Sequence, residues 1–269
     1  GFSNRQESLA KGNPQVPTET PARGSELWSS DSLGGFYGQA VIGRDRAVYA
    51  TGADGKVYAF YPDGKKRWAF QIQFSSLSEP TVGPDGTIYV VSQLNGGVPV
   101  GSPRSFVYAL NPDGTQRWVR GTTDFLETPG AYGQGGRLYI GGFRFDQFSG
   151  SASGIVMGLD TANGTTVAFR TVPGTVEEVP AVSFTGDVFV GDSNGTVHAL
   201  TSTLTPRWTY LMRSRLTAPA SIASDGTIYV GDDQGYTYSL TSAGALRWEQ
   251  RFSQQGPQYS SITIANEGV

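Results

Sequence analysis

The 269-residue sequence contains no cysteine, one histidine and two methionines. Without thiols there are no disulfides, thiolate metal sites or cysteine nucleophiles. The lone His198 excludes histidine-rich zinc or copper sites by count. With no Gly-x-Ser-x-Gly elbow in the chain, a serine triad would have to be built on that one ring. Neither sign of charge dominates: 20 Lys and Arg against 23 Asp and Glu give a formal charge of -3, no electrostatic footprint for nucleic acid or an anionic membrane. No run approaches the ~20 apolar residues that span a bilayer, so a transmembrane segment is not expected. No segment sustains a 3.6-residue period between helix caps. The Gly-rich stretches "GGVPVG" and "GQGGR" lack the strand-to-helix frame of a phosphate loop and read as turns.

What is present is a rhythm. Residues 1–25 are polar, carry Pro14, Pro17 and Pro21, and read as a flexible linker or arm ahead of a domain over 26–269. The start at Gly1, without an initiator methionine, fits a removed leader or tag. Beyond the arm an octapeptide recurs, ending at Trp68, Trp118, Trp208 and Trp248. With Trp28 and Phe169 added, the aromatic positions are 28, 68, 118, 169, 208 and 248, at steps of 40, 50, 51, 39 and 40. A second marker keeps phase at Tyr49, Tyr89, Tyr139, Phe189 and Tyr229. Two markers in phase establish an internal repeat. Each unit alternates short β-prone runs with Asp-Gly, Gln-Gly or Ala-Gly turns, enough for four strands, A to D.

A four-stranded unit of about 40 residues is a β-propeller blade, in which radial stacking buries both faces of a small sheet. The fold class is therefore all-β, with five full blades over 38–76, 79–121, 127–171, 178–211 and 217–252. A D-type strand in "SELWSS" and an A-type strand in "YSSITIA" would form a partial closing blade, so that six or more blades are expected in the complete protein. The missing strands point to an incomplete chain, an abbreviated blade or a partner strand. The recurring tryptophan should fill the wedge between neighbouring blades, its indole N–H finding a backbone acceptor. Alternation turns Arg67, Arg117, Arg207 and Arg247 the other way, towards solvent.

At "ALNPDGTQRW", "GLDTANGTTVAF", "PDGTIYV" and "SDGTIYVG" the pattern resembles the pyrroloquinoline-quinone-like propeller repeat over residues 36 to 265. WD40 and kelch patterns fit worse. The resemblance implies two kinds of function. Quinoprotein dehydrogenases of this family hold the quinone and calcium on the propeller axis, whereas an outer-membrane assembly lipoprotein and the sensor domains of some bacterial kinases use the blades for binding alone. The vicinal cysteine pair expected of the dehydrogenases is absent here.

Marker spacing locates a candidate face. The B and C strands are nine residues apart in three units, but Tyr89 to Tyr108 is 19 and Tyr139 to Met157 is 18. Two enlarged loops, 91–106 and 141–155, therefore sit at the same corner of adjacent blades, where B–C and D–A connections share one face. The first offers Arg104; the second carries Phe143, Phe145 and Phe148 with Arg144 and Asp146. Exposed aromatics beside charge suit a protein or glycan contact surface; alternatively the phenylalanines cover the blade top as a small satellite core. The D–A loops add Glu79, Asp124, Glu127, Glu177, Glu178, Arg213 and Arg215, a possible cation or polar-ligand mouth, or a solvated rim. His198 falls on a strand-C position held elsewhere by tyrosine or methionine and reads as a blade residue. "GDSNG" and "GDDQG" read as hairpin turns, not calcium loops.

These readings converge on a non-catalytic, cofactor-free binding or scaffold module that recognises a protein partner or another extracytoplasmic ligand through the enlarged-loop face, with no nucleic acid. It would be periplasmic, cell-surface or secreted. The alternatives are a quinone- and calcium-dependent dehydrogenase or its degenerate relative, and the sensor domain of a larger membrane protein such as a kinase.

Overall fold

The structure, a computed structural model, describes residues 26–29, 35–75, 78–94, 99, 101–252 and 262–264. The arm at 1–25 lies outside these, as do parts of the first enlarged loop and of the stretch expected to supply a last A-type strand. Five antiparallel sheets follow one another along the chain. The first comprises β1 (Phe36–Ile42), β2 (Val48–Gly52), β3 (Lys56–Phe60) and β4 (Lys66–Gln71); the second, β5 (Thr81–Val82), β6 (Ile88–Gln93), β7 (Ser105–Leu110) and β8 (Gln116–Thr122). A short β9 (Phe125–Leu126) leads into the third, made of β10 (Ala131–Gly133), β11 (Arg137–Asp146), β12 (Ser151–Asp160) and β13 (Thr166–Val172). The fourth contains β14 (Ala181–Val182), β15 (Val188–Gly191), β16 (Thr196–Leu200) and β17 (Pro206–Leu211), and the fifth β18 (Ser221–Ile222), β19 (Ile228–Gly231), β20 (Tyr236–Leu240) and β21 (Leu246–Arg251). No helix among the described residues is long and apolar enough to cross a membrane.

The first strands touch in sequence, β1 on β5, β5 on β10, β10 on β14 and β14 on β18, so they stand innermost. The fourth strands are largely exposed and form the outside. This is a β-propeller of four-stranded blades. Its core is not inside any one sheet: four apolar clusters each span two successive sheets, such as Tyr89, Val107 and Trp118 of the second with Leu138, Ile140 and Ile155 of the third. Radial stacking is how these short strands remove both faces from water.

The tryptophans perform the wedge role their spacing implied. Trp28, Trp68, Trp118 and Trp208 donate their indole N–H to the carbonyls of Pro62, Pro112, Thr161 and Ser242, at 2.9–3.0 Å. Each acceptor lies in the C–D turn of the next blade. The ring then lies on the turn's glycine so closely that a Cβ there would meet it at 2.5–2.7 Å: Gly64 under Trp28, Gly114 under Trp68, Gly164 under Trp118 and Gly244 under Trp208. All four glycines have positive φ, so the turn needs glycine both for its backbone and for the close approach. At the far end, Ser221 Oγ donates to the carbonyl of Ile262 at 2.5 Å, as Thr81 Oγ1 of the second blade donates to Gly130 of the third. Ile262 thus takes the place of a further innermost segment.

Three expectations change. Phe169 is not the third blade's counterpart of tryptophan. Strand pairing sets Trp68 opposite Ala59, Trp118 opposite Ala109 and Trp208 opposite Ala199, while in the third blade Ala168 pairs with Gly158. Ala168 holds the position, and Phe169, one residue on, faces the other side of the sheet. The C–D turn before it is one residue longer than in the other blades, closing from Asp160 to Thr165. The arginines preceding the tryptophans are not simply solvated: Arg67, Arg117, Arg207 and Arg247 pair with Asp45, Asp85, Asp187 and Asp225 in the A–B turn of their own blade. The third blade has Val167 and Gly135 in place of such a pair. Finally, the 141–155 insertion is not a loop but a continuation of β11 and β12, each ten residues long, into one hairpin paired up to Asp146 and Ser151.

Candidate functional site

Strand direction alone places B–C hairpins and D–A connections on one face, and the bonding confirms it. β9 pairs with β11 at Gly142 and Phe143, Ser75 bridges Gln93, and Leu216 bridges Asp232. The B–C turns of the fourth and fifth blades are tight and capped by their own aspartates, as expected of hairpins. Asp192 accepts the N–H of Asn194 and Thr196, and Asp232 those of Gln234 and Tyr236. The second carboxylate oxygen binds the C strand: Asp54 accepts from the Tyr58 hydroxyl at 2.6 Å and Asp232 from Tyr238 at 2.7 Å, while Asp192 meets His198 Nε2 at 2.9 Å. His198 is buried and performs the task of the blade tyrosines, as its position implied.

The enlarged face gathers residues from two blades. The Arg104 guanidinium lies 4.8 Å over the Phe125 ring. Phe125 stacks on Phe143, with centroids 4.6 Å apart and planes within 8°. Beside this stack Asp124 is buried and takes a two-pronged bond from Arg144, Nε to Oδ1 at 2.7 Å and a terminal nitrogen to Oδ2 at 3.0 Å. That bond raises the already basic guanidinium further. The Arg144 guanidinium also covers Phe169 at 5.0 Å. Bidentate geometry of this kind fixes orientation as well as charge, so the base of the hairpin is braced against the D–A connection.

The tip is different. Phe145 is 52 % and Phe148 94 % exposed. Asp146 accepts the Phe148 N–H at 2.9 Å and the Ser149 hydroxyl at 2.8 Å, and these two bonds hold its carboxyl below the usual range. A carboxyl with a depressed folded pKa contributes its cap fully above the ordinary carboxylate pKa and loses it as pH falls through the lowered value. The Phe148 amide resonance is therefore expected to hold constant down to about pH 4 and to shift only below it; a shift centred at or above the ordinary aspartate pKa would show that the cap is not formed.

The charged rim resolves into two places. Solvent reaches Glu127, yet enough protein surrounds it that burial, followed by the charge of Glu177, raises its carboxyl above the usual range. Burial and Glu177 raise Glu178 likewise, with Arg215 opposing. Arg215 lies 3.7 Å from Glu177 and 3.4 Å from Asp233. Glu127, Glu177, Glu178 and Arg215 thus share one patch. Arg213 turns outwards to Glu249 at 2.5 Å and over Tyr236, and Glu79 stands half-buried on the first-to-second blade connection. Among the described residues no group of three or more His, Asp or Glu side chains is disposed to hold a metal ion. The Arg215 guanidinium, 3.7 Å from Glu177, places a positive charge at the glutamate patch, so the patch does not fit the calcium of a quinone site.

Sequence spacing found Arg104 and the 143–148 residues but missed Phe125 and Phe169, which complete the stack and the brace. Phe125 sits in a D–A stretch with no periodicity to mark it, between the charged Asp124 and Glu127. The steps of 51 and 39 around position 169, where 50 and 40 hold for its neighbour Ala168, were the signal that the aromatic was one residue out of phase.

Comparison with known proteins agrees with this architecture. No curated protein matches the sequence. BamB from Moraxella catarrhalis superposes with a TM-score of 0.62 at 18 % identity, over 80 % of this chain and 64 % of its own. The computationally designed Ika8 protein gives 0.66 at 12 % identity, over 86 % and 66 %. Quinohemoprotein alcohol dehydrogenase from Comamonas testosteroni gives 0.65 at 13 % identity, over 83 % and 44 %. The chain therefore spans less than two thirds of the length of either natural relative, and at these identities the likeness is one of fold. The family model described as outer membrane protein assembly factor BamB matches residues 103–266, more than half of the sequence and including the braced hairpin, and the chain belongs to that family of quinoprotein-type propellers.

Proposed function

We propose that this chain is a non-catalytic propeller that binds an extracytoplasmic protein through the hairpin β11–β12 and the surface beside it. The observation that carries the reading is a contrast within one hairpin. Phe143 is spent on packing at the braced base, whereas Phe145 and Phe148 at the tip are left in water. Burying an aromatic on a rigid support is how a few residues come to dominate an interface. The family description supports a partner engaged in assembling outer membrane proteins and a place in the periplasm. Arg104, Arg144 and Asp124 act in this reading as the brace, and Asp146 as the cap that presents Phe148. The charged patch of Glu127, Glu178 and Arg215 is a secondary polar contact.

The test is capture from an envelope extract by immobilised protein, comparing the parent with the Phe145→Ser/Phe148→Ser variant. Both side chains are exposed, so the fold should be unaffected. Loss of two interface anchors is expected to cost about 2 kcal/mol or more, roughly thirtyfold in affinity. Equal capture of the same partner by both proteins would remove this face from the proposal. A quinone-like absorption band after addition of pyrroloquinoline quinone and calcium, with dye-linked oxidation of an alcohol or sugar, would replace the binding reading by an enzymatic one.

A further inference from the structure

The face opposite the hairpin, formed by A–B and C–D turns, carries a second feature. The inner strands β1, β5 and β10 end around a groove of about 560 Å³. Its walls are apolar, with Ile42, Val82, Pro84 and Tyr132, and Arg44 and Gln134 supply the polar lining. Ile42 is 71 % exposed although it belongs to an inner strand.

The turn that supplies Arg44 to this groove, with Arg46 just beyond the lining, departs from its counterparts in a way that costs free energy. In four blades the fourth residue of the A–B turn is a glycine at positive φ: Gly86, Gly136, Gly186 and Gly226. In the first blade the same position is Arg46, at φ 62°, a conformation unfavourable for a side chain with a Cβ. The second position is Pro84, Gln134, Phe184 or Ser224 in the other blades and Arg44 here. Both arginines are exposed, and among the described residues neither guanidinium has an ion pair or hydrogen bond. The carboxylate between them is already committed, since Asp45 takes Arg67, Tyr49 and the Ala47 N–H. No carboxylate lines the groove. Strain retained at one turn of five, where glycine would relieve it, signals a use for the side chain.

We propose that this groove binds an acidic segment of a partner protein, with an apolar side chain seated between Ile42 and Tyr132 and flanking carboxylates paired to Arg44 and Arg46. Charge complementarity selects the sign of the ligand, and the concave apolar wall selects a peptide. An anionic membrane is the weaker fit, because two arginines fall well short of the four to eight basic residues that hold a protein on such a surface. The site is separate from the hairpin surface and stands or falls independently of it.

The test is fluorescence anisotropy with a fluorescein-labelled nonapeptide of alternating glutamate and leucine. The parent chain is expected to bind it saturably and more weakly as salt rises. Arg44→Glu and Arg46→Gly should each weaken binding about tenfold. Arg46→Gly should also raise the thermal midpoint, since it relieves the turn; a merely structural arginine would not couple higher stability to weaker binding. Ile42→Ser should weaken binding while leaving its salt dependence in place. The proposal is overturned if no saturable binding occurs, if the arginine variants bind as the parent does, or if Ile42→Ser has no effect and the peptide is held by charge alone. Adhesion to phosphatidylglycerol vesicles that needs both arginines, in a chain that ignores the peptide, would overturn it in favour of a lipid surface.

Discussion

Trp118→Ala is expected to lower unfolding stability by about 4 kcal/mol, within the range for deleting a large aromatic from a packed core. The indole is buried at 8 % exposure, belongs to the cluster shared by the second and third blades, and gives its N–H to Thr161 at 2.9 Å. Gly164 cannot follow the shrinking side chain, because its positive φ and its turn hydrogen bond fix it, so the space stays open and the Thr161 carbonyl loses its donor. Trp248 provides the comparison. It has the same ring partner as its equivalents, Tyr229 at 5.9 Å, but is 43 % exposed, and among the described residues no turn lies against it. Trp248→Ala should therefore cost about 1 kcal/mol or less, as surface substitutions do. Urea denaturation of the two variants measures the difference. Equal losses would mean that stability resides within each blade and not in the docking of one blade on the next.

Much of this fold can be read in the sequence because most blades solve the same packing problem with the same parts. The turn glycine, the tryptophan and the B-strand aromatic recur because most junctions use a glycine to lie under, a ring to fill the wedge and a second ring to meet it. Spacing reveals these. It does not reveal the Arg67–Asp45 type of pair, because its members lie some twenty to thirty residues apart and each alone looks like an ordinary surface charge. Nor could it divide the 143–148 aromatics between packing and exposure: Phe143 and Phe145 share a face by alternation, and only the arrival of Phe125 from another connection decides which is covered. The rim glutamates show the same limit. Counting placed them all on one face, but pairing of Arg213 with Glu249 on an outer strand depends on side-chain reach that no periodicity encodes.

The junction between the third and fourth blades is where the repeat breaks, and the break is compensated. Ala168 stands where the indole is expected, and the turn it faces has Leu204 at φ 60° in place of glycine. Leu204 is buried at 2 % and packs with Tyr139, Ala168 and Val172, so the wedge is filled from the opposite side. The carbonyl that elsewhere accepts an indole, here Ser202, accepts the Tyr139 hydroxyl at 2.7 Å and a bond from Arg137. A double-mutant cycle follows. Leu204→Gly empties the wedge and should cost about 3 kcal/mol, the cavity loss of a buried leucine set against relief of the left-handed backbone. Ala168→Trp drives an indole into the volume that Leu204 occupies and should cost about 2 to 3 kcal/mol by overpacking. The pair together rebuilds the arrangement seen at Trp68 and Gly114, so the double variant should unfold within about 2 to 3 kcal/mol of the parent, a coupling of about 3 kcal/mol, at the upper end for residues in contact. Additive losses in urea would show that Leu204 and the indole are not exchangeable, and that the fourth blade is seated by Tyr139 and Arg137 instead of by the filled wedge.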